Sequence, residues 1–297
     1  MRKKTRAEKK PPEMQTGSAF PEEAGFKNKK IERRARGEGA MPELPEVETL
    51  CRQLKTRVVG HRIEAMTIYD CKLGGIHDVG RCRVRNVCRR GKTIMVALDD
   101  GRSIAIHLRM TGRLCWHDQN GKQTHTRWRM TMDHGHVDLV DPRRFATVSV
   151  ETTRRNRDRN DLITGFDDEA FLARQATRRV SVKTLLMDPK AIAGIGNIYA
   201  CEILHRAGVS PLRQAAAVSA RAWKKIFRSA MIILKKAIEK RGTSVSDWRD
   251  LYGCPGENQH ELKVYGREGK ACCMCGGVVK RIKQGGRSTF YCEQCQK

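Results

Sequence analysis

The sequence predicts an α+β protein in which an N-terminal antiparallel β-sandwich is followed by a helical domain and a small C-terminal β-hairpin. Three observations carry this prediction. Between residues 62 and 150, short segments alternate apolar and polar residues and are separated by turns such as "DDG" and "DHG". Between residues 167 and 242, apolar residues recur at helical spacing. The last 26 residues contain two Cys-x2-Cys pairs. Strands followed by helices are typical of the α+β class.

A helix is predicted in front of the strands. It begins at Pro45, and Gly60 ends it. One apolar stripe runs along it through Val47, Leu50, Leu54 and Val58. We therefore expect this helix to pack on the sandwich.

The remaining elements follow in order. We read strands in "RIEAMTIY", "CRVRNVCRRGKTIMVALDDGRSIAIHLRM", "RWRMTMDHGHVDLV" and "RRFATVSV", which gives a β domain over residues 41–150. The charged stretch "ETTRRNRDRND" begins a linker over 151–170. Helices are predicted in "DDEAFLARQA", "SVKTLLMD", "NIYACEILHRAG" and "SARAWKKIFRSAMIILKKAIEKRG". These define a helical domain over 171–252, followed by a Gly-rich loop at 253–270 and a terminal hairpin at 271–297.

Charge indicates a polyanionic partner. The 297 residues carry a formal charge of +26, and residues 1–40 contribute 12 Lys/Arg against 6 Asp/Glu, so the rest of the chain keeps +20. A folded body this basic most often binds nucleic acid. The alternative is a basic surface that serves only solubility. Residues 1–40 show no apolar period and are predicted to be a disordered basic tail.

The sequence predicts a cytoplasmic protein without a membrane partner. The basic N-terminus lacks the apolar region of a signal peptide, and no stretch approaches the roughly 20 apolar residues of a membrane span. In a reducing compartment, the eight cysteines outside the two pairs are expected to be buried small residues and not disulfides.

The other four cysteines have the spacing of a zinc ribbon. Two Cys-x2-Cys pairs are separated by sixteen residues, and they comprise Cys272, Cys275, Cys292 and Cys295. Four thiolates leave no open position, so one structural Zn²⁺ is predicted. Cys273 is interpreted as a bystander, because the pairing of Cys272 with Cys275 keeps both gaps equal. Cations between the pairs suit a hairpin that grips phosphate.

A Gly-rich turn precedes the third predicted helix of the helical domain. Gly194 and Gly196 place backbone N–H groups where they can face an anion, and Asn197 adds a side-chain donor. A G-x-G pattern is weak by itself, and a simple helix-turn-helix packing contact would explain it. The basic charge and the zinc hairpin strengthen the case for DNA phosphate as that anion.

The stretch "MPELPEVETL" at 41–50 looks like the beginning of a protein. If Met41 is the start and is trimmed, Pro42 becomes a terminal amine with a pKa of roughly 8, against about 10.4 for lysine. Such an amine can attack a sugar C1′ and form an iminium that favours elimination of phosphate. Glu43 is a candidate general acid, and Glu46 could assist or could simply be a macrodipole partner of the helix.

This chemistry requires a free nitrogen at Pro42. In a chain that begins at Met1, Pro42 is an amide within the backbone and cannot be a nucleophile. We therefore expect that Met41 is the true start, or that residues 1–40 are removed.

Over residues 41–297 the chain resembles the bacterial formamidopyrimidine-DNA glycosylases, also called Fpg or MutM. The resemblance rests on the order of "MPELPEVET", "RRGK" at 89–92, "HLRMTGRL" at 107–114, "DPRRF" at 141–145, "KTLLMD" at 183–188, "GIGNIYA" at 194–200, "VYGREG" at 264–269 and the terminal cysteines. It implies a helix-two-turns-helix domain and a lesion-recognition loop at 253–270. Cys201 and Cys254 depart from the family's pattern, and Cys254 lies in that loop.

The resemblance also implies an activity and its residues. It implies a bifunctional DNA glycosylase and AP lyase of base excision repair that excises oxidised purines from damaged double-stranded DNA, with the target nucleotide flipped out. The catalytic residues would be Pro42 as Schiff-base nucleophile, Glu43 as proton donor, Lys92 for β-elimination and Arg287 for δ-elimination. Met110, Arg143 and Phe145 would fill the space left by the flipped base. Contacts with the DNA backbone would come from His125, Arg178, Asn197 and Arg287.

Two rival readings remain open. An enzyme like endonuclease VIII shares this architecture but prefers oxidised pyrimidines. A non-catalytic zinc-containing DNA-binding protein would explain the charge and the cysteines but not the Pro-Glu start. By resemblance, we expect a bacterial monomer in the cytoplasm, associated with the nucleoid.

Overall fold

The computed structural model describes residues 41–73, 79–119, 121–152, 160–175 and 178–297. The predicted disordered tail at 1–40 and residues 153–159 of the predicted linker lie outside these residues. Within them, the α+β class is confirmed, with two antiparallel sheets, a helical region and a C-terminal hairpin. None of the helices in these ranges is long and apolar enough to cross a bilayer.

Helix α1, Leu44–Val58, opens the described chain and begins one residue before the predicted start. The Glu46 carboxylate accepts the backbone N–H of Glu43 at 2.8 Å, which satisfies a donor that the first helical turn leaves free. All four residues of the predicted apolar stripe are buried. The helix therefore packs through the face that the sequence indicated.

The described part of the β domain contains eight strands. They are β1 (Ile63–Ile68), β2 (Val84–Arg90), β3 (Thr93–Leu98), β4 (Arg102–His107), β5 (Arg113–His117), β6 (Thr126–Met132), β7 (Gly135–Val140) and β8 (Thr147–Thr152). One sheet has the order β1-β6-β7-β5 and the other β2-β3-β4-β8, with antiparallel neighbours throughout. Ile94 and Ile104 of one sheet share a core with Trp128 and Leu139 of the other and with Leu50 of α1. The predicted sandwich is thus confirmed.

Strand β5 was not predicted. Its inward residues are Leu114 and Trp116, and the outward ones are Arg113, Cys115 and His117. With only two apolar side chains in five residues, the alternation is too weak to predict a strand from the sequence. The strand is stabilised by its pairing with β7 and by a backbone hydrogen bond from Trp116 N–H to the Leu251 carbonyl at 3.0 Å.

The helical domain begins with a small hairpin of β9 (Asn160–Asp161) and β10 (Gly165–Phe166), in the region expected to be linker. Four α-helices follow among the residues that the structure describes: α2 (Asp168–Gln175), α3 (Val182–Leu186), α4 (Asn197–Ala207) and α5 (Ala220–Glu239). The Ser181 side chain caps α3 by accepting the N–H of Thr184, and the Ser219 side chain caps α5 by accepting the N–H of Ala222. Phe171, Trp223 and Phe227 pack edge to face or stacked in the core of this domain.

After α5 the chain returns to the β domain. Trp248 and Leu251 belong to the core of the sandwich, and Gln53 of α1 bonds both the Asp250 carboxylate and the Leu251 N–H. The chain then forms the terminal hairpin of β11 (Val279–Gln284) and β12 (Arg287–Cys292). The two domains are therefore joined by a returning segment as well as by the linker.

The prediction that the eight other cysteines are buried is wrong for most of them. Cys51 and Cys201 are buried, but the exposed ones are Cys71, Cys88, Cys254 and Cys273. All twelve cysteines lie in the described part of the chain and are free. Most lie on strands near the surface or in turns, where a small side chain is tolerated without being buried.

Candidate active site

A cavity of about 700 Å³ lies where the β domain, the turn before α4 and the terminal hairpin meet. Its walls include Met41, Lys92, His107, Gly194 and Arg287. Pro42 is buried and follows Met41 directly. Lys92 and Arg287 thus line one cavity, and Met41 on its wall is followed directly by Pro42 and Glu43, so the structure brings positions as distant as 42 and 287 near one another.

Glu43 is held by the N-terminus of α4. Its carboxylate accepts the N–H of Gly196 at 2.7 Å and of Ile198 at 2.9 Å. A Cβ at Gly196 would lie 2.4 Å from Glu43 Cδ, so only glycine fits there. Burial raises the pKa of Glu43, and the Lys92 charge and these N–H groups oppose it. A buried carboxyl of raised pKa beside a cavity is suited to donate a proton.

This arrangement corrects the reading of the Gly-rich turn. The sequence favoured DNA phosphate as the anion that the turn receives. In the structure the anion is the chain's own Glu43 carboxylate, which accepts hydrogen bonds from the N–H groups at positions 196 and 198. Sequence reasoning missed this because the two partners are more than 150 residues apart.

Glu46 lies behind Glu43 in a buried hydrogen-bond network. Its carboxylate accepts the Tyr199 hydroxyl at 2.6 Å and the Thr243 N–H at 2.7 Å. Asn258, from the predicted lesion-recognition loop, donates to the Thr243 hydroxyl at 2.8 Å. Burial and the neighbouring Glu43 raise the pKa of Glu46 to about 7. The network joins the start of α1 to that loop.

Two cations from different domains line the cavity wall. Lys92 lies in the β2–β3 turn, and Arg287 is the exposed first residue of β12. Desolvation lowers the pKa of Lys92; the Glu43 charge opposes this and the Arg287 charge adds to it. Lys92 therefore loses its proton more readily than an ordinary lysine, which suits proton transfer near a sugar.

The three predicted wedge residues lie on two adjoining loops. Met110 is half-buried after β4, and Arg143 and Phe145 are exposed between β7 and β8. The Arg143 guanidinium carbon lies 4.7 Å from the centroid of the Phe145 ring. The two loops are tied together because Asp141 accepts the Thr111 hydroxyl as well as the N–H of Phe145.

The remaining predicted DNA contacts stay predictions, and the structure gives their places. His125 is exposed with φ +68°, and its carbonyl accepts the Asp141 N–H, so it lies beside the loop of Arg143. Arg178 is paired with Asp188 at 3.0 Å. Asn197 is engaged internally, since it accepts from Lys183 and donates to the Ser288 carbonyl.

The four cysteines of the terminal hairpin fit a zinc ion. The sulfurs of Cys272 and Cys295 are 3.8 Å apart, those of Cys275 and Cys292 are 3.5 Å apart, and all four lie within 4.8 Å of one another. Zn–S bonds of about 2.3 Å place the sulfurs of a tetrahedron about 3.8 Å apart. The ligand set for one structural zinc is thus confirmed, and Cys273 lies outside it.

Three residues at the site were missed from the sequence. His107 lines the cavity and accepts the Arg109 N–H, and desolvation lowers its pKa to about 4. Lys183 is buried and links α3 to β12 through the Thr289 hydroxyl at 2.7 Å. Asp141 organises the wedge loops. Each stands in a quoted motif, but its partner lies on another element, so only the folded chain reveals the role.

Comparison with known proteins identifies three consecutive families along the chain. Residues 41–148 match the N-terminal domain of formamidopyrimidine-DNA glycosylase, residues 159–248 match its H2TH domain, and residues 269–297 match a zinc finger found in FPG and IleRS. Together these matches account for most of the described residues.

Curated relatives match along their whole length. The formamidopyrimidine-DNA glycosylase of Desulfitobacterium hafniense is 35% identical over 272 residues, covering 86% of this chain and 100% of the relative. That of Desulforamulus reducens is 36% identical over 275 residues, covering 86% and 99%. Residues 1–40 lie outside the family matches.

Solved structures match in the same way. A Lactococcus lactis FPG variant in complex with DNA containing Fapy-dG superposes with a TM-score of 0.79 at 28% identity, covering 86% of this chain and all of that one. MutM in complex with DNA containing carbocyclic 8-oxo-G gives a TM-score of 0.78 at the same identity and coverage.

Proposed function

Because the chain belongs to the formamidopyrimidine-DNA glycosylase family and is a DNA-repair glycosylase, we propose that it excises oxidised purines through Pro42 and then cuts the strand by β,δ-elimination. The observation that carries the proposal is the buried Glu43 carboxyl, which follows Pro42 directly and interacts electrostatically with Lys92 of the cavity wall. The relatives' names support the purine preference, since two similar structures hold Fapy-dG or an 8-oxo-G analogue.

In the first step, the bond between C1′ and the base is replaced by a bond between C1′ and the protein. The Pro42 nitrogen forms a bond to C1′ of the sugar, and the glycosidic C1′–N9 bond breaks. The electron pair of that bond leaves with the base, which takes a proton. Glu43 supplies a proton to the base or to the ring oxygen O4′, and opening of the ring leaves an iminium at C1′. The nitrogen gives up its own proton as the iminium forms.

The second stage cuts the strand. Loss of a proton from C2′ expels the 3′ phosphate, and a second elimination expels the 5′ phosphate. Lys92, whose pKa is lowered, is suited to accept or relay a proton here. Arg287 is an exposed cation on the cavity wall and can neutralise a leaving phosphate. Water then releases the enzyme from the iminium.

Pro42 can act only as a chain terminus, so the proposal includes a start at Met41 with removal of that methionine, or loss of residues 1–40. Zinc, when bound, braces the hairpin that presents Arg287. We also propose that the enzyme works as a monomer in the cytoplasm, where reducing conditions keep the four thiols available to the metal.

Borohydride trapping tests the nucleophile. Protein made from Met41 should form a covalent adduct with an 8-oxoguanine duplex, and peptide mapping should find it at Pro42. Protein that retains residues 1–40 should form none. An adduct of equal yield from the longer protein, with the tail intact by mass, would show that another residue attacks.

Paired duplexes test the lesion. Excision from 8-oxoguanine DNA should exceed that from an oxidised pyrimidine duplex. The reverse order would favour an activity like that of endonuclease VIII, and absence of any adduct would favour a protein that only binds DNA.

A further inference from the structure

Three metal-ligating side chains meet at the end of the β1-β6-β7-β5 sheet. His61 precedes β1, and Asp133 and His134 form the turn between β6 and β7. One donor atom from each lies within 4.8 Å of the other two. None of the three belongs to the cavity walls described above.

Both rings aim the same nitrogen at one carboxylate. His61 Nδ1 lies 3.0 Å from Asp133 Oδ1 and 3.3 Å from Oδ2, and His134 Nδ1 lies 2.5 Å from Oδ1. The centroids of the two rings are 4.0 Å apart, and the ring planes are tilted by 35°. The three donor atoms therefore converge on one small volume.

The other nitrogen of His134 fixes its tautomer. Nε2 lies 2.9 Å from the carbonyl oxygen of Arg57, which can only accept, so Nε2 carries a proton. In the neutral ring Nδ1 then carries a lone pair, which faces the carboxylate oxygen of Asp133. Two electron pairs at this distance repel unless a proton bridges the two atoms or a metal ion binds both of them.

We propose that His61, Asp133 and His134 form a second metal site, which binds a divalent transition ion such as Zn²⁺ or Ni²⁺. Two imidazole nitrogens and one carboxylate oxygen are a ligand set that these ions favour. The Nε2–H of His134 on a carbonyl is the outer contact that orients a metal-ligating histidine. The site is partly exposed, so water completes the coordination.

A second cluster nearby serves as an internal comparison. His117, His136 and Asp138 also place donor atoms within 4.8 Å of one another. There, however, Arg129 donates to both oxygens of Asp138, at 2.7 and 2.8 Å. A guanidinium already neutralises this carboxylate, and its charge opposes a second cation. We expect no tight metal binding at that cluster.

The site carries its own optical reporter. The ring of Trp116 lies 5.2 Å from the ring of His134, centroid to centroid. A paramagnetic ion such as Ni²⁺ bound to His134 should quench the Trp116 fluorescence. Nothing in the cysteine site gives this signal, because its ligands are on the terminal hairpin.

The test uses untagged protein that keeps its structural zinc. After equilibrium dialysis against micromolar Ni²⁺, metal analysis of the wild type should find one zinc and one nickel per chain, with a loss of tryptophan fluorescence. His61→Ala and His134→Ala should keep the zinc and lose the nickel and the quenching. His117→Ala, the matched control, should keep both metals.

Three results would overturn the proposal. One is a wild type that binds zinc alone, which would mean that a proton bridges His134 and Asp133. Another is nickel that persists in both His61→Ala and His134→Ala. The third is nickel that is lost only in His117→Ala, which would place the ion at the other cluster. Trp116→Phe separates local quenching from any distant effect, since it should bind nickel without the fluorescence change.

Discussion

At the scale of single residues, Glu43 serves the fold and the chemistry together. It precedes α1, and its carboxylate occupies the N-terminus of α4, so it joins the two domains at the cavity. Its burial raises its pKa, while the N–H groups that hold it fix its direction. The residue that positions the helix is therefore also the one suited to protonate a substrate.

Glu43→Gln should separate excision from strand cutting. The amide cannot donate a catalytic proton, so single-turnover excision from lesion duplex should fall by about 100-fold or more. Cutting of a duplex with a preformed abasic site should persist, because no base has to leave. Glu64→Gln, an exposed change on β1, is the control. Equal losses on both duplexes would argue against the assigned role.

Glu46 should make stability depend on pH. Its pKa is about 7 in the folded chain against 4.5 for an unperturbed glutamate, so its contribution is complete below about 4.5 and is lost as the pH rises through about 7. The melting temperature of the wild type should therefore fall more steeply between pH 5 and 8 than that of Glu46→Gln. If the melting temperatures of the two proteins fall equally between pH 5 and 8, this assignment is wrong.

At the scale of elements, Asp141 organises the two loops that carry the wedge residues. Its carboxylate accepts the N–H of Arg143, Phe145 and Ala146 and the Thr111 hydroxyl. Phe145 stays 43% exposed even so. An exposed aromatic ring on a loop held this firmly is available to enter a base stack.

Asp141→Ala should weaken both the loop and the binding of DNA. It leaves several donors without an acceptor, and each buried donor left unsatisfied costs about 1–3 kcal/mol of unfolding free energy. The affinity for lesion duplex, measured by fluorescence anisotropy, should fall further than this loss of stability explains. Glu64→Ala should change neither quantity. An Asp141→Ala protein with wild-type affinity would mean that the loops do not need this anchor.

At the scale of the whole molecule, the cavity is assembled from three parts of the chain. The β domain supplies Lys92, the turn before α4 supplies Gly194, and the zinc hairpin supplies Arg287. The hairpin is fixed on the helical domain by Lys183 and Asn197. Arg89 and Asp161 form a buried ion pair that fixes the β domain to β9. A change in one part should therefore alter a site in another.

Loss of the structural zinc should show this coupling. Cys292→Ser or chelation removes a ligand or the metal, so the hairpin loses its brace and Arg287 its position. We expect binding of lesion duplex to be lost, while the β domain keeps its own core and its circular-dichroism signature. Cys273→Ser is the matched control and should behave as the wild type. Full DNA binding by zinc-free protein would show that the metal is not needed.

The sequence by itself determined the α+β class, the helix that it placed from Pro45 to Gly60, most strands and the four zinc ligands. These are local signals: periodicity of two or 3.6 residues, turn sequences and short Cys-x2-Cys spacing. The quoted motifs also indicated the family and Glu43, because a Pro-Glu pair before a helix is itself a local pattern.

Only the tertiary structure decided which partner each of these groups meets. The Gly-rich turn receives Glu43 and not a phosphate, β5 forms because β7 and the segment near Leu251 supply its hydrogen bonds, and His61 meets Asp133 across a turn. Each contact joins residues far apart in the chain, and its energy depends on burial and geometry that exist only after folding. Local sequence patterns do not indicate such long-range pairings.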